Sequence, residues 1–230
     1  MTRSAIVNAD DFGASTGTNR GIVECHTRGV LTSTSMMVTG AAVEEAVELS
    51  GAHPELAIGL HWDVIGEDER EFDLSDHEAV RDEFAAQLSR FHELMGRGPT
   101  HVDSHRHMHR DPEIDELFAE LVAPLGVPLR GHSPVRFVGN FYAQWEWGVT
   151  DLAHVSPEAF EQILREEVHE GWTELSCHPG YVSEDYTPMY RHEREAELRT
   201  LTDPRIRAAF EELAINLESY ATYASLAEDL

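Results

Sequence analysis

Short apolar runs that end in polar side chains recur along the chain, separated by stretches with helical spacing. Ala5 Ile6 Val7 leads into Asn8, Asp10, Asp11 and Gly13, which predicts a buried strand over 4–13 carrying two carboxylates at its C-terminal end. Residues 16–29 predict a helix with Ser15 or Thr16 as N-cap and Gly29 as its stop. A β-branched stretch over 30–38 predicts a second strand, 41–50 a helix, and 56–62 a third strand with His61 at its end. Positions 63–75 are acidic and irregular and read as a surface loop. Over 78–95, Val80, Phe84, Leu88, Phe91 and Met95 mark the longest amphipathic helix, closed by Gly96. A strand over 100–105, a helix over 112–125, a strand over 127–130, a helix over 157–169, a strand over 175–179 and helices over 191–201 and 204–214 complete the pattern.

Strand and helix alternate with hardly a break, so the sheet should be parallel and covered by helices. At 230 residues, with no repeat or linker, 1–230 reads as one domain of the size usual for an α/β barrel. The polar residues gather at strand ends: Asp10 and Asp11, His61, Asp103 with His105, Arg130, and His178. In a parallel barrel or an open α/β sheet those ends converge on one face, where active sites are built.

Charge narrows the partners. Asp plus Glu number 43 against 17 basic residues, all of them Arg, for a net charge of −26. Such a surface repels a phosphate backbone, which argues against nucleic acid and anionic membranes as partners. The 41% apolar fraction excludes intrinsic disorder, and Cys25 and Cys177 form no disulfide framework. The N-terminus shows no signal-like apolar segment and no run approaches the roughly 20 residues of a membrane span, so a soluble cytoplasmic protein is expected. The acid excess fits adaptation to a salty cytoplasm; a coding bias replacing Lys by Arg explains the missing Lys but not the acids.

The 14 His sharpen the chemistry. Two imidazoles and a carboxylate make a facial ligand set for a catalytic divalent metal, and Asp11, His61 and His105 are the candidates; on ligand softness Zn²⁺ or Co²⁺ suits them. Neighbouring side chains on a strand diverge, so only one of Asp10 and Asp11 is expected to bind metal while the other serves as general base. His178 is placed to protonate a leaving amine, and Arg130 to hold Asp10 ionised or to bind substrate. His101, Asp103 and His105 share one side of their strand, whereas His107 and His109 lie past its end and read as supporting or surface residues. Histidines 26, 53, 77, 92, 154, 169 and 192 read as surface. Cys177 faces away from His178 on the same strand, which makes it a core thiol rather than a nucleophile. A metal-dependent phosphoesterase could use the same Asp and His set, but Arg130, Arg106 and Arg110 are its only nearby cations; a binding barrel without activity is a third reading.

Five motifs carry a resemblance: 8–13 (Asn Ala Asp Asp Phe Gly), 32–34 (Thr Ser Thr), 59–61 (Gly Leu His), 99–109 (Pro Thr His Val Asp Ser His Arg His Met His) and 177–180 (Cys His Pro Gly). In order and spacing, from residue 5 to about 220, they resemble the YdjC-like carbohydrate deacetylases. The resemblance implies a distorted (β/α) TIM-like barrel and metal-dependent removal of N-acetyl groups from amino sugars or chitooligosaccharides such as diacetylchitobiose. It further implies Mg²⁺ bound by Asp11, His61 and His105, with Asp10 as base and His178 as acid. Two stretches depart from the family pattern: Trp62 to Glu67 after the Gly Leu His motif, and 131–156 with Phe141, Tyr142, Trp145 and Trp147. The aromatics suit sugar stacking, the core of a lid, or the contact of a homodimer.

Overall fold

The computed structural model describes residues 2–66, 71–146, 148–183 and 189–227. Strands β1 (Arg3–Phe12), β2 (Ser33–Met36), β3 (Ala57–Trp62), β4 (Val102–Ser104), β5 (Arg136–Val138), β6 (Gly171–Cys177) and β7 (Ile215–Glu218) form one sheet. Every pairing between them is parallel, in the order β4-β3-β2-β1-β6-β5, and the strands curl into a half-barrel. The short β7 lies beside the N-terminal half of β1, from Arg3 to Ile6, and β2 pairs with β1 from Asn8 onward. Helices α1 (Thr16–Arg28), α2 (Val43–Ala52), α3 (His77–Met95), α4 (Asp115–Val122), α5 (Pro157–Glu166), α6 (His192–Leu201), α7 (Pro204–Glu212) and α8 (Tyr220–Ala227) fill the connections.

Alternation on β1 divides the protein into two interiors. Ala5, Val7 and Ala9 pack outward into the main apolar core with Ile22, Phe160 and Leu164. Ile6, Asn8 and Asp10 face the lumen, where Ile6, Ala57, Val135 and Tyr220 form a small apolar layer. Above that layer the lumen is polar, holding Asn8, Asp103, Arg130 and Glu174, all buried. His101 belongs to this lumen, its ring stacked on Tyr220 at 3.9 Å. A Cβ at Gly59 would stand 2.4 Å from that ring, which is why Gly precedes Leu60 and His61.

Several expectations change in detail, and β5 falls within 131–156, where no strand was expected. Residues 127–130 make a single bridge, Val102 to Leu129, rather than a strand; Pro128 offers no N–H, and Gly126 and Gly131 turn with positive φ on either side. Arg130 nonetheless stays at the same end of the sheet, because its N–H donates to the Val102 carbonyl at 3.0 Å. The last long helix stops at Glu212 because Ala214 adopts φ +51, a left-handed stop that Gly would have advertised; β7 and α8 then follow where no element was expected. Of the acidic loop over 63–75, positions 67–70 lie outside the described residues, as does Trp147.

Candidate active site

The C-terminal ends of the strands open into a cleft of about 860 Å³, within the range of small-molecule sites. Asp10, Asp11, His61, His105 and His178 all line it. Regular alternation would send Asp11 to the helix side of β1. It faces the cleft instead because β1 carries one extra residue against β2 between Ala9 and Phe12, and Asp11 takes φ +71. This bulge turns both carboxylates to the same side, which corrects the expected divergence of the pair. Asp is among the few residues that tolerate this backbone region.

Asp10 is held by Arg130, which donates from Nη1 to Oδ2 at 2.8 Å and from Nη2 to Oδ1 at 2.7 Å. The same guanidinium donates to Glu174 Oε1 at 2.6 Å and lies 2.7 Å from Asp103 Oδ2. Burial disfavours ionisation of Asp10, but Arg130 outweighs it and holds the carboxyl below its ordinary range. Glu174 goes the other way: burial raises it despite Arg130, and Tyr220 donates its hydroxyl to Oε2 at 2.7 Å.

Asp11, His61 and His105 offer donor atoms within 4.8 Å of one another. Asp11 Oδ1 is 3.2 Å from His61 Nε2 and 3.2 Å from His105 Nδ1, while its Oδ2 accepts from Arg194 at 2.6 Å. The donor set fits a divalent ion. His61 gives its Nδ1 proton to Asp103 Oδ1 at 2.6 Å, which turns Nε2 toward Asp11, and Nε2 is buried with no aligned hydrogen bond. A carboxylate behind an imidazole is the usual support of a metal-ligating histidine. Ser35 completes it by donating to Asp103 Oδ2 at 2.9 Å. Burial opposes charge on His61, yet Asp103 and its hydrogen bonds raise its pKa well above the ordinary imidazole value; proton and metal therefore compete for one electronegative spot. A second cluster, Asp10, His61 and Asp103, has comparable spacing, but Arg130 already neutralises its two carboxylates.

His178 stands just past β6 with Nε2 3.7 Å from Asp10 Oδ2. Burial pulls its pKa down to about 4 against the attraction of Asp10 and Asp11, so the resting ring is neutral. Cys177 points the other way into the core, its thiol donating to the Asn8 carbonyl at 3.3 Å, and burial raises its pKa.

The cleft wall contains what motif reading missed. Arg194 on α6 binds Asp11, and its Nε donates to the Tyr190 carbonyl at 3.0 Å. Beside it, Glu193 accepts from Gln144 at 2.8 Å. No local pattern marks α6 as special; only the structure shows that the charged positions 193, 194 and 197 are all buried. Arg106 and His107 also line the cleft, on consecutive left-handed residues with φ 50 and 55. His107 is pulled down to about 3 by burial, and its ring lies edge-on to Phe137. His109 is buried and supports Ser104 and the Arg130 carbonyl. The aromatic cluster of 141–147 divides: Phe141 is core, Tyr142 stacks on Tyr190 within the wall, and Trp145 stays 62% exposed at the rim with His154 stacked on one face.

Solved structures place this fold among known proteins. A protein from Enterococcus faecalis V583, named provisionally for cellobiose-phosphate cleavage, is 26% identical with a TM-score of 0.81, covering 97% of this chain and 99% of its own. A polysaccharide deacetylase from Bacillus cereus (14% identity, TM-score 0.60, 95% and 92% covered) shares the fold. So does a family 4 carbohydrate esterase from Streptomyces lividans (11% identity, TM-score 0.56, 93% and 91% covered). The family model described as YdjC-like protein matches residues 4–212, and this chain belongs to that family.

Proposed function

We propose that this protein is a metal-dependent carbohydrate deacetylase that hydrolyses the N-acetyl group of an amino sugar or chitooligosaccharide. The observation that carries the reading is the division of labour between two adjacent carboxylates facing one cleft. Asp10 is locked to a guanidinium and kept ionised, as a base must be; Asp11 offers one oxygen to two imidazoles, as a metal ligand must. The fold shared with a polysaccharide deacetylase and a carbohydrate esterase supports a carbohydrate substrate.

A divalent ion held by Asp11, His61 and His105 would supply Lewis-acid polarisation of the acetyl carbonyl and of the attacking water. Asp10 takes the proton of that water at Oδ2, the oxygen that faces His178. Arg130 keeps both Asp10 oxygens in place and its charge stabilises the ionised form. His178 is neutral at rest, so the proton it gives to the departing nitrogen is one it gains during the cycle, and Asp10 is the nearby donor. The C–N bond breaks, the nitrogen leaves as an amine, and acetate carries the oxygen of water. The donor set is compatible with Zn²⁺ or Co²⁺ on softness and with the Mg²⁺ of the resemblance.

The test is acetate release from diacetylchitobiose and a panel of acetylated sugars, with each metal and with chelator. Activity should vanish on chelation and in His105→Ala; activity indifferent to both rules the metal role out. Phosphate release from phosphorylated sugars in place of acetate would favour a phosphoesterase. That reading ranks lower because Arg130 and Arg194 are already committed to carboxylates.

A further inference from the structure

Glu197 on α6 is completely buried, and its two oxygens serve two different parts of the cleft. Oε2 accepts the backbone N–H of His178 at 2.5 Å, and Oε1 accepts the Tyr190 hydroxyl. That hydroxyl accepts in turn from the Ala143 N–H at 3.0 Å, and the Tyr190 ring lies flat on Tyr142, 4.4 Å away. The edges of both tyrosines meet the His178 ring, at 5.4 and 5.8 Å between centroids. One carboxyl thus ties together the turn after β6, the residue that leads into α6, and the segment around Tyr142. These pieces are far apart in sequence and touch the same catalytic imidazole. Buried carboxyls held by neutral donors are costly and rare, and burial pushes this one up to about 8 against the pull of those donors and of Arg194.

We propose that Glu197 is a positioning residue for the hydrolysis: it sets the angle at which His178 Nε2 faces Asp10 and holds the Tyr142 and Tyr190 wall against that ring. The proposal rests on the deacetylase reading for its kinetic part. Glu197 works through the groups it binds and touches neither substrate nor metal ligand. Gln should keep the placement, though not every bond. Its carbonyl can accept from His178 N–H while its NH₂ donates to the Tyr190 oxygen, which keeps a lone pair beside the Ala143 bond; the Tyr190 O–H, which donates to Glu197 in the wild type, then turns elsewhere. Ala can do neither.

The expected result is a kcat about 100-fold lower in Glu197→Ala with metal binding unchanged, the scale of a misplacement near 1 Å, and a kcat within about fivefold of wild type in Glu197→Gln. Glu197→Gln as slow as Glu197→Ala would overturn the proposal, since charge rather than placement would then be the contribution. Full activity in Glu197→Ala, or loss of metal in step with activity, would overturn it as well. Histidine-ring ¹⁵N NMR separates this from failure of the deacetylase reading. The His178 resonances, assigned with His178→Gln, should move in Glu197→Ala and return in Glu197→Gln whether or not any sugar is turned over; resonances that stay put refute the positioning role. Where Glu197→Ala fails to fold, Tyr190→Phe cuts the carboxyl from the wall but keeps the ring, and wild-type resonances in that variant refute it equally.

Discussion

Two buried arginines hold two neighbouring aspartates, and they do it in unlike surroundings. Arg130, on the floor of the cleft and itself only 1% exposed, meets three carboxylates at once, from β1, β4 and β6. Arg194, on the wall, binds Asp11 and, among the described residues, also donates to backbone carbonyls of Tyr190 and His178. The floor is a charge cluster in which every member depends on the others, and the wall is a bracket on Asp11. Fold and chemistry are therefore inseparable at Arg130 and separable at Arg194.

The sharpest way to break that contrast is Arg130→Met. It strands three buried carboxylates and should cost about 3–5 kcal/mol, read by urea denaturation, together with all activity. A variant as stable as wild type would mean that the floor is not a cluster. Next, Asp10→Asn should lower kcat/KM by about 10²–10⁴ while metal still binds, the scale of losing a general base. Asp11→Asn should instead lose the metal, and the same failure in both variants would erase the division of labour. Arg194→Gln should weaken metal binding by about 10–100-fold, as removal of an outer partner of a ligand does, with little change in the denaturation midpoint. Cys177→Ala, on the far side of β6, should leave kcat untouched and cost about 1 kcal/mol of stability at most.

A pH experiment sharpens the comparison from the metal side. His61 has a raised pKa in the metal-free protein, so the stability its protonation contributes is fully present below the ordinary imidazole value and is lost as pH rises through the raised one. Metal must displace that proton. Affinity should fall as pH drops through a window lying above pH 6.5, and titration calorimetry in buffers of different ionisation heat should show proton release at pH 7. No proton release there would mean that His61 is already neutral.

Most of the floor was readable in the sequence, though not Glu174, and the wall was not, for a physical reason. A buried parallel strand is a near-continuous apolar run, so Asp10, Asp11 and His61 stand out at its end, and Cys177 and His178 fall on opposite faces by simple alternation. The parallel order and the convergence of strand ends follow from the same signal. Arg194 and Glu197 lie on a helix whose charged residues look like any solvated face, and only tertiary packing of 142–143 and 190 buries them. Asp103 was visible as a strand-end residue, but its service to His61 needed the β3–β4 register, which pairs the two directly. The left-handed turns at Asp11, Arg106 and Ala214 carry no Gly to announce them, so the bulge and the early end of α7 were beyond pattern reading.

The bulge in β1 also limits what position 11 can become. A side chain there must accept φ +71, which favours Asp and Asn and sets a backbone penalty against the longer Glu. On the proposed reading, the choice of metal would thus be written partly into main-chain geometry. Redesign toward a softer ion would have to begin at positions 61 and 105, or straighten the strand and give up the pairing of two acids on one face.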